Sequence, residues 1–132
     1  RRHFSHDGVT ADVLEIGEAT RWQNSEETAL RDIRYQAQAE SGAVWDIDAA
    51  AGIFYEDINE LELKNGVTVL ELTRDATMQT ESMRLYMDQK RAQGEQEVVM
   101  TGRGSRTTGS AFELDLQSSM ATLKGDVRTE YE

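Results

Sequence analysis

Apolar residues recur at every second position along most of this chain, the period of a strand with one buried face. Val9 to Trp22 predicts one long strand or a bent pair. Leu14, Ile16 and Trp22 share a face, Gly8 marks the start and Gly17 a bulge. After a polar turn at Gln23 to Glu27, Leu30 to Ala39 puts Ile33, Tyr35, Ala37 and Ala39 on one side. Ser41-Gly42 is a hairpin signal. Trp45, Ile47, Ala49 and Ala51 then alternate, Gly52 breaks the strand, and Ile53 and Tyr55 resume it. Leu61 and Leu63 lead into Asn65-Gly66, read as a type I′ hairpin turn with Val67 and Val69 on its far side. Met78, Leu85 and Met87 follow; Ala92 to Glu97 reads as a polar loop; Val98 to Thr101 is a short strand interrupted by Gly102-Arg103-Gly104. Phe112, Leu114 and Leu116 point inward, Ser118-Ser119 turns the chain, and Met120 to Leu123 and Val127 to Tyr131 close it. Ser25 to Arg34, with Glu26-Glu27 behind a serine, carries a weak helix-capping signal as the alternative to a strand.

The pattern also repeats. Leu63-Lys64-Asn65-Gly66-Val67 recurs as Leu123-Lys124-Gly125-Asp126-Val127, each behind an alternating strand, and Leu85-Tyr86-Met87-Asp88 is a looser copy. A unit that cannot bury its apolar face alone must stack or curl with its neighbours. The prediction is an all-β antiparallel scaffold, a single domain over residues 8–132, with residues 1–7 a disordered or trimmed segment ahead of it.

Composition narrows the function more than the fold. With 132 residues and 7% aromatic content, the chain has room for one aliphatic, methionine-containing core. The absence of cysteine excludes thiol catalysis and disulfides, and the absence of proline suits long strands with short Gly/Asn/Asp turns. A net charge of −11 argues against nucleic acid as a partner.

No residue cluster carries chemistry, so no catalytic residue, metal or cofactor is expected. His3 and His6 beside Asp7 read as a ragged terminus rather than a metal site. Asp46 with Asp48, and Glu113 with Asp115, lie opposite the apolar faces of their strands and read as solvated pairs rather than glycosidase carboxylates. Gly102-x-Gly104 with Gly109 lacks the lysine and helix of a phosphate loop, and reads as a bulge or a close backbone approach.

The expected inward set is Leu14, Ile16, Leu30, Ile33, Trp45, Ile47, Ile53, Leu63, Val67, Val69, Met78, Leu85, Val98, Met100, Phe112, Leu114, Leu123 and Val127. Periodicity alone leaves two readings of that set: an ordinary packed sandwich core, or a sheet that stays partly open around something apolar.

The chain resembles the LptC family of the lipopolysaccharide-export machine from about Val9 to Glu132. The resemblance is carried by Ala43-Val44-Trp45-Asp46-Ile47-Asp48-Ala49-Ala50-Ala51-Gly52, by Leu61 to Val67, by Gly102 and Gly109, and by the closing Leu123 to Tyr131. It implies a twisted, boat-shaped β-jellyroll of the kind shared with the bridge protein LptA, with the inward set as the lipid-binding surface. It also implies a periplasmic domain anchored to the inner membrane by an N-terminal helix outside this chain. The cargo would be lipopolysaccharide, received from the LptB-LptF-LptG transporter at the N-terminal edge around Val9 to Ile16. It would pass to LptA at a C-terminal edge carrying Gly102, Ala121, Val127, Arg128, Thr129 and Tyr131, an edge also open to a homodimer. Asp126 departs from the basic residue some members place there.

Overall fold

A computed structural model describes the backbone of residues 2–6 and 10–131, and side chains from Asp12 to Tyr131. The described residues contain strands, turns and bends but no helix, so Ser25 to Arg34 enters a strand. The strands are β1 (Arg2–His6), β2 (Thr10–Arg21), β3 (Glu27–Gln38), β4 (Val44–Tyr55), β5 (Glu60–Glu71), β6 (Ala76–Thr80), β7 (Met83–Tyr86), β8 (Arg91–Gly94), β9 (Val98–Gly102), β10 (Ser105–Gly109), β11 (Ala111–Asp115), β12 (Met120–Lys124) and β13 (Arg128–Tyr131). All pair antiparallel in one sheet. Residues 2–6, expected ahead of the domain, form β1 and pair with β2. Asp7, Gly8 and Val9 lie outside the described residues.

The architecture is a meander of long strands folded once along a line that crosses them all. β2 to β5 run unbroken through this line; beyond it each long strand is split in two, as β6–β7, β8–β9, β10–β11 and β12–β13. One leaf is β1, residues 10–16, 33–38, 44–49 and 67–71 of the long strands, then β6, β9, β10 and β13. The other is residues 18–21, 27–31, 51–55 and 60–64, then β7, β8, β11 and β12. The leaves face each other across a shared apolar interior.

Each strand changes the face it presents to the interior as it crosses the fold line. In β3, Ile33, Tyr35 and Ala37 are buried on one side of the line and Leu30 on the other, so the buried parity switches at Asp32. Asp32 has φ +54°, and a Cβ on Gly17 across from it would stand 2.9 Å from the Asp32 Cβ. In β4, Trp45, Ile47 and Ala49 give way to Gly52 and Phe54 after a register shift between Ala49 and Ala51. Opposite that shift, β5 inserts Asn65 and Gly66 at φ +66° and +96°. An extra residue of this kind kinks a strand without ending it.

Asn65-Gly66 is therefore not the hairpin turn expected from its sequence. The chain runs straight on, with Val67 still paired to Ala49 of the same neighbour. The repeated copy behaves alike: Gly125 and Asp126, at φ +71° and +53°, join β12 in one leaf to β13 in the other. The repeat thus marks two crossings of the fold line. Ser110, between β10 and β11, crosses beside the second, its hydroxyl donating to the Gly125 carbonyl at 2.7 Å. Among the described residues the true hairpin turns each carry one left-handed residue: Asn24, Gly42, Asn59, Asp75, Lys90, Gly104 and Ser119.

The parity switch explains a further correction. Ile53, expected inward, is only half-buried and stands outside the core, whereas Phe54 packs against it. Ala92 to Gly94, expected as loop, belongs to β8, with Ala92 in the core. Phe112 lies over its partner Gly94 so closely that a Cβ there would sit 2.3 Å from the ring. Val127, also expected inward, is 48% exposed, because it occupies the crossing between β12 and β13 rather than a strand.

At Gly52 an added Cβ would meet the Glu62 carbonyl oxygen at 2.6 Å and the Ile33 Cδ1 at 2.7 Å. Gly52→Ala is expected to lower stability by about 1–3 kcal/mol in urea unfolding, through overpacking against backbone. Ala50→Ser, at the exposed neighbouring position, leaves the midpoint unchanged.

Candidate functional site

Two cross-strand rows build the interior. In the first leaf, Leu14, Tyr35, Ile47, Val69, Met78, Met100, Thr107 and Thr129 stand opposite one another from strand to strand. In the second, Thr28, Phe54, Leu61, Leu85, Ala92, Leu114 and Ala121 do the same. The rows make a continuous apolar lining that turns small and polar as it nears the C-terminal strands. There Thr107 and Thr129 hydroxyls meet at 3.0 Å.

Most of the expected inward set comes together in this interior. Leu14, Leu30, Ile33, Trp45, Ile47, Leu63, Val67, Val69, Met78, Leu85, Val98, Phe112 and Leu114 share one buried cluster, and Ile16, Met100 and Leu123 pack against it half-buried. Burial of each large aliphatic side chain stabilises by about 1.5–3 kcal/mol. The middle of the interior is filled, with Ile47, Leu61, Leu63, Leu85 and Val98 fully enclosed.

The interior stays hollow toward its two sides. A cavity of about 180 Å³ near the N-terminal strands is walled mostly by apolar side chains, Leu14, Ile16, Ala19, Leu30, Phe54 and Met87, with Thr28 and Glu56 completing it. Another of about 220 Å³ near the C-terminal strands is walled by Trp45, Val69, Met78, Met100, Leu114 and Ala121, with Glu71, Arg74 and Ser119 at its polar end. A third hollow of about 360 Å³ includes Glu62, Arg84, Tyr86 and Gln93. Their groups already pair, Arg84 with Glu62 at 3.6 Å and Gln93 with the Tyr86 hydroxyl at 2.9 Å.

Opposite the fold line the free rims of the two leaves meet, and polar side chains tie them. Asp12 on β2 is buried, accepts a hydrogen bond from the Tyr35 hydroxyl, and lies 3.3 Å from the Lys90 ammonium in the turn between β7 and β8. Further along, Glu71 is buried and accepts from the backbone N–H groups of Thr73 and Arg74, shaping the turn between β5 and β6. From that turn Arg74 donates to the Ser119 carbonyl of the opposite rim at 3.5 Å. Burial, then the hydrogen bond to Asp12 and its charge, drives the Tyr35 phenol far above the ordinary tyrosine range.

Sequence reasoning missed these ties. Asp12 was detectable, since it continues the even-numbered inward positions of Leu14 and Ile16. Lys90 carries no local sign, because its partner is 78 residues away.

The carboxylate pairs fall on the outer faces. Arg34 lies 3.3 Å from both Asp46 and Asp48. Asp46, expected in solvent, is buried beneath that arginine. Burial, with the neighbouring Asp46 charge, raises the Asp48 carboxyl against the pull of Arg34. Lys124, bonded to Glu113 at 2.9 Å, holds that carboxyl below its usual range. Gly102 sits exposed at the end of β9, and Gly104 closes the β9–β10 turn at φ +69°, an ordinary hairpin. A Cβ on Gly109 would press on the Lys124 carbonyl at 3.2 Å, the close approach expected of it. His3, His6 and Asp7 lie outside the residues whose side chains are described; among those described, no group of His, Asp or Glu is arranged to hold a metal.

The last strands form free edges. Among the described residues β13 pairs only with β10 and β12 only with β11. Ala121, Val127, Arg128, Thr129 and Tyr131 are all exposed there, Tyr131 at 82%.

Over residues 1–132 the sequence matches the family described as "Lipopolysaccharide-assembly, LptC-related". No curated protein matches. Among solved structures, the fold is similar to LptH of Pseudomonas aeruginosa, described as "the LptA homologous periplasmic component of the conserved lipopolysaccharide transport device". The TM-score is 0.66 at 8% identity, over 92% of this chain and 94% of that one. That likeness is one of fold: a curled antiparallel sheet of the LptA-like jellyroll type.

Lys90→Met, which strands the buried Asp12 carboxylate, is expected to cost about 3–5 kcal/mol in urea unfolding, part of it recovered by Asp12→Asn in the same chain. Alkaline titration gives a second check. The Tyr35 pKa is raised in the folded state, so its stabilisation is full below the unfolded value of about 10 and is lost as pH climbs above it. By absorbance, one of the four tyrosines should resist ionisation until the protein unfolds.

Proposed function

The chain belongs to the LptC-related lipopolysaccharide-assembly family, and from that premise we propose that it is a periplasmic lipopolysaccharide-binding transport component. It receives lipopolysaccharide from the LptB-LptF-LptG transporter at its N-terminal edge and passes it to LptA at its C-terminal edge. The native protein is held at the inner membrane by a helix outside this sequence; no helix among the described residues is long and apolar enough to cross a membrane. The reaction is transfer of a bound lipid, with no covalent step.

The observation that carries this reading is the lined interior with apolar cavities on both sides. A buried acyl chain of a dozen methylenes gains on the order of 10 kcal/mol. Repulsion between cargo phosphates and the acidic surface is screened over about 8–10 Å and is smaller. Acyl chains therefore enter while sugars and phosphates stay in water. An apolar cavity of about 150 Å³ admits a benzene-sized molecule. Neither the 220 Å³ nor the 180 Å³ cavity is thus large enough for a whole chain. The cargo must part the leaves, and the rims are where they come apart: they are joined by side-chain ties, whereas the fold line is continuous backbone.

Hand-over uses the free edges. β13 carries unpaired backbone donors and acceptors that a strand of LptA can complete, prolonging the lined interior into the next jellyroll. Gly102, Ala121, Val127, Arg128, Thr129 and Tyr131 surround that edge, which also suits an edge-to-edge homodimer.

The filled middle of the interior favours a second reading, an edge-docking module with a packed core and no lipid. Photo-crosslinking separates the two. Benzoylphenylalanine at Leu30, Met100 or Ala121 is expected to capture lipopolysaccharide, and at Glu113 or Gln79 on the outer faces to capture little. Capture at the outer sites alone would leave the packed module standing.

A further inference from the structure

We infer that the cavity near the C-terminal strands is a subsite for an acyl chain bearing a neutral oxygen function, a chain hydroxyl above all, rather than for plain hydrocarbon. The inference rests on the reading of the interior as an acyl-chain site. It stands on two buried polar atoms. The Trp45 Nε1 and the Ser119 Oγ are both enclosed and make no hydrogen bond, and both residues wall this cavity. Each residue is only 5% exposed.

Orphaned buried donors are rare, because their lost hydration goes uncompensated. An indole N–H only donates, whereas a hydroxyl donates and accepts. The missing partner must therefore present an acceptor to Trp45, and a hydroxyl can serve both residues. Apart from Thr77 and the Glu71–Arg74 end, the remaining walls are apolar, with Val69, Met78, Met100 and Leu114 the largest, so most of the group carrying that oxygen is hydrocarbon. The charges at the cavity's polar end already answer each other, the buried Glu71 carboxylate lying 3.9 Å from the Arg74 guanidinium, so an ionised group finds no unmatched counter-charge there. Trp45 is thereby given a selective role: its ring packs in the core and its N–H reads the chain.

The test uses the whole chain with methyl tetradecanoate and its 2-, 3- and 12-hydroxy derivatives, competing against a fluorescent acyl probe. One hydroxy ester is expected to displace the probe about tenfold more tightly than the unsubstituted ester, the effect of one well-made buried hydrogen bond. Trp45→Phe and Ser119→Gly should each erase that preference. If Trp45→Phe perturbs folding, Ser119→Gly carries the test, since it removes the buried hydroxyl and suits the left-handed backbone there (φ +58°). Equal affinity across the esters, or a preference that survives both substitutions, overturns the inference and leaves the acyl-chain reading intact. Failure of every ester to displace the probe overturns both.

Discussion

Everything in this molecule depends on the strands changing face together along one line. A single strand that switches its inward parity would set apolar side chains in water and polar ones in the core. Here Gly17, Asp32, Ala50 and Asn65-Gly66 make the switch side by side on four neighbouring strands, so the pairing survives and the sheet folds. The local chemistry is specific. A glycine makes room for the Asp32 side chain, another lies beneath Ile33, and two left-handed residues absorb the extra length of β5. Beyond β5 the same line is crossed at Glu81-Ser82, at Glu95 to Glu97, at Ser110 and at Gly125-Asp126, where the strands are fully interrupted. One polypeptide thus supplies two facing leaves without the long crossovers of a two-sheet sandwich.

The two sides of this folded sheet are held by different forces. Along the fold line the leaves are joined covalently and by glycine-tight packing, which leaves little freedom. Along the rims they are joined by Asp12 with Tyr35 and Lys90, and by Arg74 reaching Ser119. Buried ion pairs contribute modest net stability but are severe when broken on one side only, which suits a closure that is made or lost as a unit. A transport protein must also release what it binds. Under the proposed function, interior side chains that pack on one another compete with cargo for the same surface, which favours release.

The sequence carried the all-β class and nearly all the core, because each is written in local alternation. Ile53 and Phe54 show where local pattern fails. The glycine at 52 was visible as a break, but which neighbour would face inward after it depends on a register shift set by β5. Asn65-Gly66 fails for a related reason. Two residues with positive φ serve a tight turn or a bulge equally well, and the choice is made by whether Val67 keeps its old neighbour. The repeat at Gly125-Asp126 was legible as a repeat and misleading as a turn. Lys90 and Arg74 were out of reach altogether, since their partners are distant in the chain and their own surroundings read as surface.

The central claim is that lipid occupies the space between the leaves and enters by parting their rims. The sequence contains no cysteine, so Arg74→Cys with Ser118→Cys, on opposite rims, can be bridged selectively by a short bismaleimide. Lipopolysaccharide binding measured by native mass spectrometry should be lost in the bridged protein and present in the same protein left unbridged. Undiminished binding after bridging would contradict the account.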